Sequence, residues 1–287
     1  MTTFRIDAHV HLWRLSRGDN VSLSPSMGAI WRDMEPDQLA PRMASASVGR
    51  IIVVQAAETL AEALFLVGLA KRYPIIAGVV AWVEPGSAAI VEECAALASL
   101  PVVRGVRPIR DDNRSIAWML DARLDRGWQA LADTGLSLDI LVQDWREIPL
   151  AALLSQRLAP LPVILDHCGK PDVAGGQFAP WAAMIEEIAA HGNVSCKLSG
   201  LMNCAAPGAT ASDVAPYANH VIDSFGADRV MWASDWPPLD LASDYASWAQ
   251  ITDSILASRP KAQRETILAG TAARVYRFSP NERPDYD

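Results

Sequence analysis

The sequence has no C-x-x-C pair, and its four cysteines, Cys94, Cys168, Cys196 and Cys204, lie far apart in a chain of 287 residues. A chain this long can bury a full core without a disulfide framework, so they read as reduced thiols. Positive charge is in deficit: 25 Lys and Arg stand against 33 Asp and Glu, a formal net charge of −8. Without a basic cluster there is no footprint for a phosphate backbone or an anionic membrane surface, which excludes nucleic acid and membrane as expected partners. Long apolar runs are also missing. The longest, Ile75 to Val83, is far short of the roughly 18 residues that would suggest a membrane span. The opening MTTFRIDAHVHLW lacks the basic start and apolar stretch of a signal peptide, so a cytoplasmic, soluble chain is the expectation. A phosphate loop, a G-x-S-x-G elbow, a His-Glu-x-x-His helix and a G-x-G-x-x-G fingerprint are all absent. Nucleotide and nicotinamide chemistry thereby lose their usual support. Nothing in these features fixes an oligomeric state.

What is present is an apolar chain, 51% hydrophobic and 20% charged, able to bury a core and unlike a disordered polymer. Eight short β-branched runs recur along it: Phe4 to His11, Arg50 to Ala57, Ile75 to Val83, Val103 to Ile109, Leu136 to Gln143, Pro162 to His167, Asn193 to Ser199 and Arg229 to Asp235. Helical stretches separate them, such as Leu60 to Arg72, opened by a Thr59/Glu62 capping box, and Ala179 to Ala190. Eight βα units predict an α/β fold, a single distorted (β/α)8 TIM-type barrel over residues 1–287, with 258–278 as terminal helical material and 281–287 as a polar tail. The strand-to-helix connections are the long ones, Leu12 to Glu35 above all. Function is therefore expected at the carboxyl ends of the strands.

Candidate chemistry gathers at those ends. His9 and His11 are two apart on the first run, so their side chains project together. The sixth run ends in His167 and the eighth in Asp235. Three imidazoles and a carboxylate on one rim suit a mononuclear divalent metal site, zinc foremost. The same four residues also suit metal-independent catalysis, with Asp235 taking a proton from water while the imidazoles polarise a carbonyl. Arg107 and Lys197 have the alternation of inward-pointing cations, placed to bind substrate or stabilise an oxyanion, or else to form internal ion pairs. Gln55, Trp82 and Gln143 occupy the last positions of other runs as substrate-contact candidates. Among ten tryptophans, Trp13, Trp82, Trp145 and Trp236 fall at or past strand ends and Trp31 in the first long loop. Such rings suit the apolar faces of a sugar ring. Trp118, Trp128, Trp181, Trp232 and Trp248 read as core or helix-facing.

Asp7-Ala8-His9-Val10-His11, Leu165-Asp166-His167-Cys168-Gly169-Lys170-Pro171, Cys196-Lys197-Leu198-Ser199-Gly200 and Ser234-Asp235-Trp236-Pro237, in that order, resemble the amidohydrolase superfamily. Within it they are similar to the branch of sugar-acid lactonases and 2-pyrone-4,6-dicarboxylate lactonase. The resemblance spans nearly the whole chain. It implies a barrel that hydrolyses a small lactone as its partner molecule, with Asp235 as general base, His9, His11 and His167 as metal ligands or polarising groups, and Arg107 and Lys197 on the substrate. The bridging lysine or glutamate and the extra histidine of binuclear members are replaced by Arg107 and Gln143, so a two-metal centre is not expected. The cofactor is either one divalent ion or none. A zinc-dependent decarboxylase of an unsaturated acid is the second enzymatic reading, and a non-catalytic sugar-binding barrel the third.

Overall fold

The computed structural model describes residues 4–109 and 115–279. Eight strands pair in parallel in chain order: β1 (Arg5–Val10), β2 (Val48–Val54), β3 (Ile76–Ala81), β4 (Val103–Val106), β5 (Ser137–Ile140), β6 (Val163–Leu165), β7 (Val194–Leu198) and β8 (Val230–Trp232). The last meets the first beyond its own end. Val10 bridges Trp236, the Asp235 amide donates to the His9 carbonyl at 3.0 Å, and the His11 amide donates to the Trp236 carbonyl at 2.8 Å. The buried Asp7 carboxylate reinforces this seam by accepting from the Ser234 amide at 2.8 Å and the Tyr245 hydroxyl at 2.7 Å. Each strand lies within or close to the run expected for it, β2 starting two residues early. Most runs overshoot, and His11, Arg107, Gln143, His167 and Asp235 stand just past the ladder, where the backbone can turn.

Helices cover the outside: α1 (Pro36–Ser45), α2 (Leu60–Arg72), α3 (Ile90–Ala98), α4 (Asp125–Thr134), α5 (Ile148–Arg157), α6 (Phe178–Ala189), α7 (Ala211–Phe225) and α8 (Tyr245–Leu256). Outward strand residues such as Val53, Leu138, Leu165 and Leu198 join the helices in one apolar layer. A smaller cluster that includes Ile52, Val54, Ile164, Met231 and Ala233 fills the barrel and continues into Val275 and Tyr276. The terminal segment thus plugs the barrel at the end opposite the strand tips. It is not one helix. Lys261–Glu265 (α9), a π turn at Thr266–Gly270 and Thr271–Val275 (α10) follow one another, while the polar tail at 281–287 lies outside the described residues.

Two local details depart from expectation. The Thr59 hydroxyl accepts from the Glu62 amide at 3.2 Å, but the Glu62 carboxylate turns to the Ala56 and Ala57 amides at 2.7–3.0 Å. Only half a capping box forms, because the buried carboxylate ties down the β2–α2 loop instead. In β1 the register against β2 slips between Asp7 and Val10. This irregularity shifts the alternation, so that Asp7 reaches Tyr245 at the head of α8 while His9 and His11 face the site, which is how a bulge re-aims a side chain. The long first loop is stapled at its base by paired 2.9 Å backbone bonds between Trp13 and Met34.

Candidate active site

Four side chains converge at the mouth of the barrel. Asp235 Oδ1 lies 3.7 Å from His9 Nε2, 3.5 Å from His11 Nε2 and 3.8 Å from His167 Nε2. His9 Nε2 and His11 Nε2 are 3.0 Å apart. Each ring has an orienting partner on its other nitrogen. His11 Nδ1 donates to the Val54 carbonyl at 2.9 Å, His167 Nδ1 meets the Ser199 hydroxyl at 2.9 Å, and His9 Nδ1 lies 2.9 Å from Lys197 Nζ. A lysine ammonium is only a donor, so that contact leaves the lone pair on His9 Nδ1 and the proton on Nε2, aimed at His11. Asp166 Oδ1, 3.4 Å from His9 Nδ1, is the acceptor for the opposite tautomer.

Backbone strain marks the same places. Asp235 has φ +61, and His167, Cys168, Gly169 and Lys170 are all left-handed, with φ of +53, +53, +65 and +49. Non-glycine residues hold that region only where their surroundings impose it. Here it turns β6 sharply over the mouth, and Gly200 makes room, since a Cβ on it would lie 2.6 Å from the His167 Cβ.

Burial decides the charge state of the rings. It drives His167 down to about 4 and His9 well below its ordinary value, His9 further because the Lys197 cation is adjacent. Burial by itself would raise Asp235. The neighbouring His167, a hydrogen bond from His11 and the Arg107 charge outweigh it and hold the carboxyl below its usual range. At neutral pH burial leaves His9 and His167 uncharged beside the Asp235 carboxylate.

Asp235, His11 and His167 form one wall of a cavity of about 340 Å³, and His9 is fully buried behind them. Arg107, Gln143 and Trp13 also line the cavity. Arg107 is committed to Asp166 Oδ2 at 3.2 Å and the Gln55 carbonyl at 2.8 Å. The structure does not bring the other candidates to the cavity wall. Lys197 is fully buried beneath the imidazoles, 2.5 Å from Asp139 Oδ2 and 3.0 Å from Asp166 Oδ1, an internal ion pair. Gln55 is buried and donates to the Arg107 carbonyl at 2.9 Å. Trp82 spends its indole N–H on the Ile109 carbonyl, and Trp236 on Asp240 beneath the Arg42 guanidinium. Trp145 is buried and Trp31 lies on the surface. Of the core set, Trp128, Trp181, Trp232 and Trp248 are buried and Trp118 is half-buried.

The sequence reading passed over Lys170, whose amine enters the cavity and donates to Gln143 Oε1 at 3.3 Å. Its signal was the Gly169 and Pro171 flanks, which mark a turn at a strand tip. It also passed over Leu23, Met27 and Ile30, the apolar wall that the first loop supplies.

The ligand chemistry fits a metal ion. His9, His11 and Asp235 form one group whose donor atoms lie within 4.8 Å of one another, and His9, Asp166 and His167 form a second. Neutral imidazole nitrogens with carboxylate oxygens suit a first-row divalent ion. Among the described residues no helix is long and apolar enough to cross a membrane.

L-fucono-1,5-lactonase of Burkholderia ambifaria is 36% identical over 99% of this chain and 98% of its own length. L-fucono-1,5-lactonase of Burkholderia multivorans is 34% identical over 96% of this chain and 97% of its own. A crystal structure of an amidohydrolase from Burkholderia multivorans with bound zinc superposes with a TM-score of 0.88 at 34% identity, covering 96% of this chain and 100% of that one. The amidohydrolase family model matches residues 6–278, and the chain belongs to that family.

Proposed function

We propose that this enzyme hydrolyses a sugar-acid 1,5-lactone, the ring type in the names of its two lactonase relatives. The observation that carries the reading is the Asp235 carboxylate, 3.5–3.8 Å from three imidazole nitrogens and on the cavity wall with His11 and His167. A carboxylate held below its usual range cannot act as an acid at neutral pH, but it can accept a proton from a water beside it. The hydroxide so formed adds to the ring ester carbon, and the carbonyl oxygen, as it gains charge, takes a hydrogen bond from the Arg107 guanidinium on the cavity wall. Collapse breaks the bond from the carbonyl carbon to the ring oxygen. Asp235 returns its proton to that oxygen, which leaves an open-chain hydroxy acid.

A divalent ion, zinc by the donor set, would be held by His9, His11, His167 and Asp235 and would supply Lewis-acid polarisation of the carbonyl. The 3.4 Å approach of Asp166 to His9 Nδ1 offers the proton acceptor that ligation through Nε2 requires.

The test is a pH-indicator screen of aldonolactones and pyrone lactones, with metal-loaded and chelated enzyme, alongside Asp235→Asn. Aldonolactone opening that falls about 10²–10⁴-fold in the variant, with lactone binding retained, is the expected result. Near parental turnover by Asp235→Asn would remove Asp235 as the base.

A further inference from the structure

One cation of the cavity has no carboxylate partner among the described residues. Arg107 is paired with Asp166 and bonds the Gln55 carbonyl, and Lys197 is sealed below the imidazoles among Asp139 and Asp166. Lys170 meets only Gln143 Oε1, at 3.3 Å. The left-handed run from His167 to Lys170, closed by a 2.9 Å bond from the Lys170 amide to the His167 carbonyl, puts the imidazole and the ammonium on one curl of backbone. The amine is thereby fixed relative to the reacting centre.

Counting donors shows what this pair can recognise. An ammonium has three N–H groups and no acceptor. One goes to the Gln143 amide oxygen, which leaves two ammonium hydrogens and the Gln143 amide NH₂ as further donors. The face offers donors only, so its complement is a set of acceptor oxygens. The first loop lines the cavity with the apolar Leu23, Met27 and Ile30 and with Ser22 and Asn20, the Ser22 hydroxyl donating to Asn20 Oδ1 at 2.8 Å.

We propose that Lys170, with Gln143, is the specificity-determining pair that reads a ring hydroxyl of the lactone and so orients the ring over Asp235. This rests on the lactonase reading above. A donor-only face donates to the oxygen of a hydroxyl and is left unsatisfied by a ring that lacks it, and such a buried polar group discriminates sharply against the deoxy analogue.

The experiment crosses enzyme variants with substrate deletions. Lys170→Met and Gln143→Leu are assayed with the parent enzyme on the preferred hydroxylated lactone and on its mono-deoxy analogues, one ring position at a time. Calorimetry with the corresponding hydroxylated lactam measures binding independently of turnover. Each variant should lose about 10–100-fold in kcat/KM on the hydroxylated lactone. On the one analogue that lacks the hydroxyl being read, the loss should shrink to within about threefold, because that contact is already gone. A loss equal across all analogues, or no loss, overturns the proposal, and Gln143→Leu carries the test if Lys170→Met does not fold. A parent that opens no lactone yet binds the lactam in a Lys170-dependent way refutes the lactonase reading and keeps the subsite. Lactone opening by the parent with lactam binding unchanged in both variants does the reverse.

Discussion

Replacing Lys197 by methionine tests the electrostatic floor of the site. The ammonium is fully buried and touches Asp139, Asp166 and His9 at 2.5, 3.0 and 2.9 Å. Methionine refills the stem of the side chain but leaves the carboxylates without that charge. They are not wholly abandoned: Arg107 still reaches Asp166 at 3.2 Å, and the Tyr276 hydroxyl still donates to Asp139 at 2.8 Å. Breaking one partner of a buried pair costs about 3–5 kcal/mol, and the surviving contacts place this case near the lower end, about 3 kcal/mol. At about 2–4 °C per kcal/mol, Tm should fall by roughly 6–12 °C. The pH dependence gives a sharper criterion. In the variant both carboxyls titrate higher in the folded state than they do with Lys197 present, so burial of their charge is a penalty at neutral pH. That penalty fades as acid protonates them. Urea unfolding at pH 7.5, 6.0 and 5.0 should therefore show the gap between parent and variant narrowing toward acid. A gap below about 1 kcal/mol, or one constant across that range, would refute Lys197 as the counter-ion of this floor.

His167 should make the metal-free protein less stable in acid. Its folded value of about 4 lies below the ordinary 6.5. The unfolded chain therefore binds the extra proton between those values, and the contribution is complete above 6.5 and lost as pH falls toward 4. Between pH 7.5 and 4.5 this amounts to about 2.5 kcal/mol. Asp7 and Glu62, raised by burial to about 6 and about 7, act in the opposite sense. The quantity to measure is thus the difference in denaturant-derived stability between parent and His167→Asn, and a pH-independent difference would contradict the burial argument. Gly200→Ala should displace His167, because the new Cβ would lie 2.6 Å from the His167 Cβ at a φ of +72. A stability loss of about 1–3 kcal/mol with a matching fall in kcat is expected, and parental values for both would show that the turn relaxes freely.

The order of the fold was legible because a parallel barrel buries both faces of every strand. Each strand therefore reads as an apolar β-branched run, and no linker or repeat interrupts the series. The convergence of His9, His11, His167 and Asp235 was legible for a related reason. Polar residues at the ends of such runs are costly unless they meet one another, and in a barrel the strand tips do meet. Lys170 was hidden because it lies in a turn, where strand alternation no longer says which way a side chain points. The tryptophans misled in a different way. Trp82 and Trp236 stand at strand tips as expected, but an indole N–H that finds a partner in the wall, the Ile109 carbonyl or Asp240, anchors its ring there rather than in the cavity.

Lys197 shows the limit most clearly, because its parity along β7 was read correctly and its depth was not. It points inward, two residues before Ser199, the partner of His167, and so lies one pleat deeper than the residues that face the cavity. Asp139 reaches the same level from β5 and Asp166 from the tip of β6. An inward cation at that depth has no solvent to share, so the fold can hold it only where carboxylates arrive at the same level. Both aspartates were visible in the sequence, one inside Leu136-Ser137-Leu138-Asp139-Ile140 and one beside His167. Charged residues within apolar runs should therefore be matched by depth before any is assigned to a ligand. By that rule Lys197 is neutralised internally, and the cation left for substrate is the one on the turn, Lys170.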